Sequence, residues 1–364
     1  MTDLKYMQLA IGIAKSTLGQ TSPNPSVGAV IVKNGNVIGI GAHLQAGGVH
    51  AEINAMNNVT QAELIGATLY VTLEPCCHFG KTTPCTNAII KNKIKRVVVA
   101  TLDPNPLIAG AGVKQLQDAG IEVLVGILEH DAIQLNKMFF HYILTHTPYI
   151  TIKAGMSLDA KLATSTRESK WVTNSESRAD AHTYRHSHDA ILVGVNSVIA
   201  DDPLLTTRLK YGGKNPIRII LDTHLRTPIN SQIVNDGLAK TIIVTGSTVN
   251  DKDIYKYDNS KVEILRMRNT NIDLHALLKI LAERDLCSIL VEGGPTIQNS
   301  FIQNKLFNEL VMYIAPNLIG GENAPNFFAG IGFAKLSDSI KLKYTEVTQI
   351  GNDIKIVAVP ISPI

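Results

Sequence analysis

The chain has 364 residues, a length that predicts two domains, and 45% of them are hydrophobic, enough for a buried core without disulfide bonds. The formal net charge is +3 and aromatic residues make up 5%, which argues against a polyanion-binding surface or a base-stacking platform. No run of 18 apolar residues and no amino-terminal signal pattern occurs, so we expect a cytoplasmic protein with neither a membrane span nor a nucleic-acid partner.

Helical and strand patterns alternate over the first 145 or so residues, which predicts an α/β sandwich. A first helix is expected from Asp3 to about Leu18, with Leu4, Met7, Ile11, Ala14 and Leu18 on its apolar face. Asn34-Gly35 is suited to a type I′ turn and predicts a hairpin. The other expected elements are strands over Val27–Val32, Val37–Gly41, Ala67–Leu73, Arg96–Thr101 and Glu122–Gly126, and helices from near His50, over Thr86–Lys91 and over Val113–Ala119.

The alternation breaks between Asn136 and Pro148, where aromatic and histidine residues concentrate, and we place a domain boundary between residues 146 and 147. A second α/β series follows, and Lys341–Val359 is expected to form a hairpin that turns at Gly351-Asn352. Its predicted strands are Tyr149–Ala154, Ala190–Val195, Ile217–Leu221, Thr241–Thr245, Val262–Leu265 and Ser288–Val291, and its predicted helices lie near Ser175–His186, Leu274–Arg284 and Thr296–Asn304.

The sharpest chemical signal is His50-Ala51-Glu52 followed by Pro75-Cys76 and Cys85. One imidazole and two thiolates are ligands that Zn²⁺ prefers, and three protein ligands leave a fourth position for water, as in catalytic zinc sites. Zinc lowers the pKa of bound water toward about 7. Glu52 has no evident coordination duty, so it is the candidate catalytic residue that moves protons beside the metal.

The cysteine spacing departs from the H-x-E…P-C-x-x-C signature of zinc nucleobase deaminases, because Cys76 and Cys85 are 85 − 76 = 9 positions apart instead of three. Three cysteines within ten residues are also compatible with a structural zinc knuckle. The stretches 39–52 and 74–85, with the insert Cys77–Pro84, strongly resemble the pyrimidine deaminase of bacterial riboflavin biosynthesis, a family in which the long insert is normal. The resemblance implies a cytidine-deaminase-like α/β/α sandwich over residues 1–146, with His50, Cys76 and Cys85 as the metal ligands and Cys77 left out.

The same resemblance implies a substrate that carries a pyrimidine, a ribose and a 5-phosphate. Asn24 resembles the asparagine that the family places against the base or sugar. Cations and N–H donors suit phosphate oxygens, so His43, His78 and Lys81 are expected to meet the phosphate or ribose. Each of them is also explained as an ordinary surface residue.

Residues 148–364 carry one weak motif of their own, Val291–Thr296, which ends a strand and opens a helix. Its glycines and the helix N-terminus suit a nucleotide phosphate, but it is not a G-x-G-x-x-G fingerprint, so a Rossmann domain is not predicted. A wider set resembles the riboflavin-pathway reductase domain. The set comprises Lys153–Lys161, Ser169–Thr173, Arg185, Gly194–Val198, Asp201–Thr206 and Arg208.

This second resemblance implies a dihydrofolate-reductase-like α/β domain over residues 147–364, with NADPH as the hydride donor. The implied cofactor contacts are Ala154, Trp171, Ser197, Asp201 and Gly294, and the implied substrate contacts are Lys153, Ser169, Arg185, Leu205, Arg208 and Glu292. Two arginines suit one phosphomonoester, and Lys153 is suited to orient the sugar. The plainer interpretations are a helix-surface charge for Arg185, a turn at Asp201–Leu204 and a core position for Trp171.

Together the halves resemble the bifunctional enzyme family of riboflavin biosynthesis. The implied activities are zinc-dependent hydrolytic deamination of 2,5-diamino-6-(5-phosphoribosylamino)pyrimidin-4-one, then NADPH reduction of the ribosyl group to ribityl. The alternatives are a free-base or tRNA deaminase with an accessory nucleotide-binding domain, and a regulatory module with a structural zinc. We expect a small phosphorylated pyrimidine as the substrate and a homo-oligomer as the assembly.

Overall fold

The computed structural model describes residues 2–78, 83–257, 261–328, 330 and 332–361. The chain divides into two compact units, Met1–His146 and Thr147–Ile364. None of the described helices is both long and apolar enough to cross a membrane.

Unit 1 is an α/β/α sandwich around a five-stranded sheet with the strand order β2-β1-β3-β4-β5. Strand β1 is antiparallel to β2 and β3, whereas β3, β4 and β5 are parallel. Helices α1 and α6 cover one face of the sheet, and α2, α4 and α5 cover the other. In the described residues the elements are α1 Asp3–Lys15, β1 Gly28–Lys33, β2 Asn36–Ala42, α2 Ala51–Met56, α3 Gln61–Leu64, β3 Thr68–Leu73, α4 Cys85–Lys91, β4 Arg96–Thr101, α5 Ala111–Asp118, β5 Glu122–Val125, α6 Glu129–Leu135 and α7 Lys137–Thr145.

The predicted hairpin and first helix both form, with one correction to the helix. Asn34 and Gly35 have φ of 51° and 79°, the two positive values that a type I′ turn requires. Helix α1 ends at Lys15 rather than near Leu18. Its buried face is Tyr6, Met7, Ala10, Ile11 and Ala14, so the predicted face was wrong at Leu4 and Leu18, which are 50% and 38% exposed.

The stretch read as a break in the pattern is helical. Helix α7 occupies most of the stretch between Asn136 and Pro148, and α6 lies directly before it, where no element was predicted. Phe139 and Phe140 of α7 pack against the core on the face that α2, α4 and α5 cover. A tertiary contact therefore fixes a helix whose mixed aromatic and histidine composition gave no clear helical period.

Unit 2 contains a nine-stranded sheet with the order β10-β9-β8-β7-β11-β6-β12-β14-β13. The run from β10 to β12 is parallel, and β14 and β13 form an antiparallel hairpin at one edge. In the described residues the elements are β6 Tyr149–Ser157, α8 Ser175–Ser187, β7 Ala190–Gly194, α9 Val195–Asp201, β8 Ile217–Leu221, α10 Gln232–Asn235, β9 Thr241–Thr245, α11 Asp251–Ile254, β10 Val262–Arg266, α12 Leu274–Ala282, β11 Ser288–Val291, α13 Pro295–Gln303, β12 Glu309–Ala315, β13 Leu342–Ile350 and β14 Asp353–Pro360.

Most predicted elements of this unit form, and three strands, β8, β9 and β11, have the predicted bounds. The tail hairpin turns at Gly351-Asn352 as expected. Val195 opens α9 instead of ending a strand, and β12 lies in a stretch where we predicted none. Strand β12 is buried between β6 and β14, so its place in the sheet depends on partners distant in sequence.

Candidate active sites

The three predicted metal ligands converge in unit 1. His50 precedes α2 as its N-cap residue, Cys76 lies in the loop after β3, and Cys85 is the first residue of α4. The Nδ1 atom of His50 lies 3.3 Å from Sγ of Cys85 and 3.4 Å from Sγ of Cys76. One ligand atom from each residue falls within 4.8 Å of the other two, whereas Cys77 is not a member of the group.

The two thiols of this group differ in acidity because they interact with each other. The hydrogen bond from the Cys85 side chain, with help from His50 and the Cys85 main-chain N–H, lowers the pKa of Cys76 against the opposing effect of burial. The hydrogen bond that the Cys85 thiol donates to Cys76, together with burial, raises the pKa of Cys85. One imidazole and two sulfur atoms at this separation fit Zn²⁺, which binds four ligands tetrahedrally.

Glu52 lies in the first turn of α2, two residues after the ligand His50, and is 4% exposed. Burial raises the pKa of its carboxyl group to about 7, and the carboxylate interacts with the Cys85 thiol. Glu52, His50 and Cys76 line one cavity of about 300 Å³. A buried carboxyl with a pKa near neutrality is suited to accept and return a proton there.

Four substrate residues were predicted for the deaminase unit. Asn24, His43 and His78 line the same cavity, and Lys81 lies outside the described residues. The Asn24 amide donates to Nε2 of His43 (3.1 Å), and Nδ1 of His43 donates to the Val49 carbonyl (3.1 Å). Burial lowers the pKa of His43, so the ring is neutral and orients Asn24 rather than offering a charge.

Two polar residues of the cavity, Asp103 and Asn105, were missed by the sequence analysis. They follow β4, the parallel neighbour of β3, so the loop bearing Cys76 and the loop bearing Asp103 leave the sheet at the same edge. The Glu74 carboxylate accepts main-chain N–H groups from Asp103 (3.1 Å), Gly110 (2.9 Å) and Val113 (3.1 Å) and so holds this loop. Their position after a buried strand was the available signal.

Unit 2 has a larger cavity of about 720 Å³ at the carboxyl ends of β7, β8 and β11. Ser197 and Gly294, two of the five predicted cofactor contacts, line this cavity. Gly294 is the N-cap of α13 and no side chain caps that helix, so main-chain N–H groups are available to a phosphate. The volume, the glycines and the uncapped helix fit a dinucleotide such as NADPH.

The other predicted cofactor residues are not among those that line this cavity. Ala154 is buried in β6, and Asp201 pairs with Lys170 at 3.7 Å. Trp171 is 67% exposed and stacks against the Arg178 guanidinium at 4.4 Å, so its interpretation as a core residue was wrong.

Four predicted substrate residues form one charged cluster. The Arg185 guanidinium donates one hydrogen bond to each carboxylate oxygen of Glu292, at 2.8 and 2.9 Å. Nζ of Lys153 lies 3.5 Å from the same carboxylate. Burial alone would raise the pKa of Glu292, but Arg185 and Lys153 hold it well below its usual range. Arg185 is therefore part of a largely buried ion pair, and its interpretation as a helix-surface charge was wrong.

Arg208 belongs to this cluster through a histidine that the sequence analysis missed. The main-chain N–H of Arg208 donates to Nδ1 of His182 (3.3 Å), and Nη1 of Arg208 donates to Oγ1 of Thr206 (3.3 Å). Burial, with Arg185 and Arg208 nearby, lowers the pKa of His182 to about 4. The ring is thus neutral and accepts the main-chain bond that positions Arg208.

The remaining two predicted substrate residues lie in loops of this unit. Leu205 is buried beside Thr206 with φ of 52°. The main-chain carbonyl of Ser169 accepts a hydrogen bond from the Val172 N–H (3.2 Å).

Comparison with known proteins matches both units. The model of the RibD C-terminal domain matches residues 148–356, and that of the cytidine and deoxycytidylate deaminase zinc-binding region matches residues 1–101. The riboflavin biosynthesis protein RibD of Bacillus amyloliquefaciens is 48% identical over 357 residues, 98% of this chain and 95% of that protein.

Two solved structures are similar over nearly the whole chain. RibD of Acinetobacter baumannii is 36% identical with a TM-score of 0.89, covering 99% of both chains. A diaminohydroxyphosphoribosylaminopyrimidine deaminase/5-amino-6-(5-phosphoribosylamino)uracil reductase of Thermotoga maritima is 34% identical with a TM-score of 0.89, covering 98% of both chains.

Proposed function

The chain belongs to the RibD family of bifunctional deaminase/reductases of riboflavin biosynthesis, and from that premise we propose which residues carry out each reaction. We assign zinc-dependent deamination to residues 1–146 and NADPH-dependent reduction to residues 147–364. The match over both units is what a free-base or tRNA deaminase with an unrelated accessory domain lacks. The homo-oligomer and the cytoplasmic location stay predictions.

In the deaminase unit, His50, Cys76 and Cys85 would hold the zinc ion, which would supply the Lewis acidity that makes water nucleophilic at neutral pH. Glu52 is placed to accept a proton from the attacking water and to return it to the departing amine nitrogen, so that ammonia would leave and a carbonyl would replace the amine. Its burial keeps the carboxyl near the pKa that such a two-way transfer needs.

The substrate ring occupies the cavity of about 300 Å³, whose lining combines apolar walls with a few polar groups. Phe139 and Ile143 of α7 supply part of the apolar wall. Asn24, fixed by His43, faces the base, and Asp103 and Asn105 offer hydrogen bonds to the ribose. His78 and Lys81 remain the proposed phosphate or ribose contacts.

In the reductase unit, NADPH supplies the hydride and the protein supplies position and charge. Gly294 and Ser197 contact the cofactor from the cavity wall, and Ala154, Trp171 and Asp201 stay proposed contacts. Glu292 is ionised and fixed by two cations, so it presents a rigid acceptor to sugar hydroxyls. Lys153, at the same carboxylate, is placed to orient the sugar, and Ser169 and Leu205 complete the proposed substrate set.

Arg208 is the stronger of the two candidate phosphate ligands. Arg185 donates hydrogen bonds from Nε and Nη2 to the Glu292 carboxylate and from Nη1 to the Thr206 carbonyl (3.0 Å). No carboxylate pairs with Arg208 among the described residues, so its guanidinium is available to a phosphomonoester.

The convergence of His50, Cys76 and Cys85 beside Glu52 is the observation that carries this proposal. Glu52→Gln tests it, because the amide keeps the shape of the side chain but cannot take up the proton. We expect the variant to retain zinc and to release ammonia about 100- to 10,000-fold more slowly than the wild type. Ammonia release near the wild-type rate would exclude Glu52 as the proton carrier, whereas NADPH oxidation with the deaminated substrate serves as the internal control.

A further inference from the structure

We propose that Arg226 selects NADPH over NADH by binding the 2′-phosphate of the cofactor's adenosine ribose. The inference rests on the proposed function, because it takes the cavity of about 720 Å³ in unit 2 as the dinucleotide site. It goes further in assigning a second anion subsite to that cavity, separate from its glycine-lined end.

The residues that line the cavity include more basic than acidic side chains. Arg167, Arg226, His224 and His275 stand against one acidic residue, Asp273. The Asp273 carboxylate is already engaged as the N-cap of α12, where it accepts the Ala276 N–H (3.2 Å). With two arginines against one engaged carboxylate, the lining favours an anionic ligand.

Arg226 is oriented but not neutralised. Its Nη2 atom donates to Oδ1 of Asn196 (3.0 Å), a residue of α9 that also lines the cavity. Within the described ranges Arg226 has no carboxylate partner. A guanidinium held by a neutral amide keeps N–H groups for a phosphate and loses no ion pair when the phosphate arrives.

The turn that carries Arg226 is anchored in the core, so the guanidinium has a fixed base. Asp222 is fully buried, and its Oδ2 atom accepts the Thr227 N–H (2.6 Å) and hydroxyl (2.7 Å). The Leu225 N–H donates to the Asp222 carbonyl (3.1 Å), and the Tyr257 hydroxyl donates to the Thr227 carbonyl. Preorganisation of this kind lowers the entropy lost on binding.

The two ends of the cavity would bind different parts of the cofactor. Gly294 precedes α13, whose uncapped main-chain N–H groups suit the pyrophosphate, and Gly194 ends the neighbouring strand β7 and lines the same cavity. Thr223, His224 and Arg226 come from the loop after β8, the strand next to β7 on the side away from β11. A phosphate bound there belongs to a different part of the cofactor, which in NADPH is the 2′-position of the adenosine.

Calorimetric titration measures this selection without turnover. The zinc-loaded full chain is titrated with NADP⁺, NAD⁺, 2′,5′-ADP and 5′-AMP, for the wild type, Arg226→Gln and Arg167→Gln. Arg284→Gln is the matched control, since it removes one positive charge just beyond the far end of α12, where Arg284 pairs with Glu263. Thermal melting verifies that each variant is folded.

We expect Arg226→Gln to weaken NADP⁺ and 2′,5′-ADP about 10- to 100-fold, the loss typical of one charge-assisted hydrogen-bond pair, and to leave NAD⁺ and 5′-AMP unchanged. Arg284→Gln should behave as the wild type. An equal loss for all four ligands, unchanged discrimination in Arg226→Gln, or loss of discrimination in Arg167→Gln instead would overturn the inference. A folded wild type that binds neither dinucleotide would remove the proposed cofactor cavity itself, and the inference with it.

Discussion

Arg185 and Arg208 lie in the same charged cluster but have different partners. Arg185 is buried against Glu292 and uses all three of its nitrogen atoms on protein acceptors. Removing either member of such a pair leaves a charge without its partner, which destabilises the fold. A variant of Arg185 would therefore lose stability as well as substrate binding, and the two effects could not be separated. Arg208 is free of that complication and is the better residue on which to test the phosphate site.

Arg208→Ala should raise the KM of the reductase for its phosphorylated substrate about 10- to 100-fold with a much smaller change in kcat, because a phosphate contact remote from the reacting carbon contributes to ground-state and transition-state binding alike. Lys210→Ala is the control. It removes a cation from the same loop, where Lys210 stacks on Tyr211 at 5.3 Å. Steady-state kinetics of NADPH oxidation gives both constants, and an unchanged KM would take Arg208 out of the phosphate site.

Site residues that lie close together in the sequence could be predicted from it. Site residues that only tertiary structure brings together could not. His50 and Glu52 are two positions apart, and Cys76 and Cys85 flank one insert, so a family motif is visible in them. Asp103 reaches the deaminase cavity only because β4 pairs with β3. His182 becomes a neutral acceptor only because the Arg208 loop packs on α8.

At the scale of elements, the deaminase site depends on how closely α2 packs on β2. A Cβ atom at Gly41 would lie 2.2 Å from the Ala51 carbonyl oxygen and 2.3 Å from the Ala55 nitrogen, both of them main-chain atoms of α2. Helix α2 carries Glu52, and His50 is its N-cap. Any displacement of this helix therefore moves a metal ligand and the proposed proton carrier together.

Gly41→Ala should lower the free energy of unfolding by about 1–3 kcal/mol, the usual cost of overpacking, and reduce the zinc content of the purified protein. Gly12→Ala is the control, because Gly12 lies in α1 with no atom within 4 Å of the added carbon. Alanine favours a helix by about 1 kcal/mol over glycine, so this variant should melt at the same or a higher temperature. Chemical denaturation and metal analysis measure both effects, and wild-type stability and zinc in Gly41→Ala would contradict the packing argument.

Elements with a strong local signal were predictable, and those defined by their neighbours were not. Strands β8, β9 and β11 are short apolar runs bounded by polar residues, and their bounds were predicted correctly. Helix α7 and strand β12 were missed, because each owes its structure to a partner far along the chain. Both are important for function, since α7 supplies Phe139 to the deaminase cavity and β12 lies beside β6, which carries Lys153.

At the scale of the whole molecule, both units place their cavities in the same way. In unit 1 the cavity lies where β3 and β4 end, and in unit 2 where β7, β8 and β11 end, in each case at the carboxyl edge of parallel strands. Loops from adjacent parallel strands meet there, which is why residues far apart in sequence form one site. The two units thus place the sites of two different reactions at the same kind of position, the carboxyl edge of a parallel sheet.

Both the deaminase chemistry and the role of Glu52 depend on the zinc centre, which X-ray absorption at the zinc edge of the full chain tests most directly, together with metal analysis. We predict one zinc ion per chain, bound by two sulfur atoms at about 2.3 Å and two nitrogen or oxygen atoms at about 2.0–2.1 Å, with one imidazole. Cys77→Ser should leave the spectrum unchanged. A third sulfur, a second imidazole or the absence of zinc would contradict a three-ligand catalytic site formed by His50, Cys76 and Cys85.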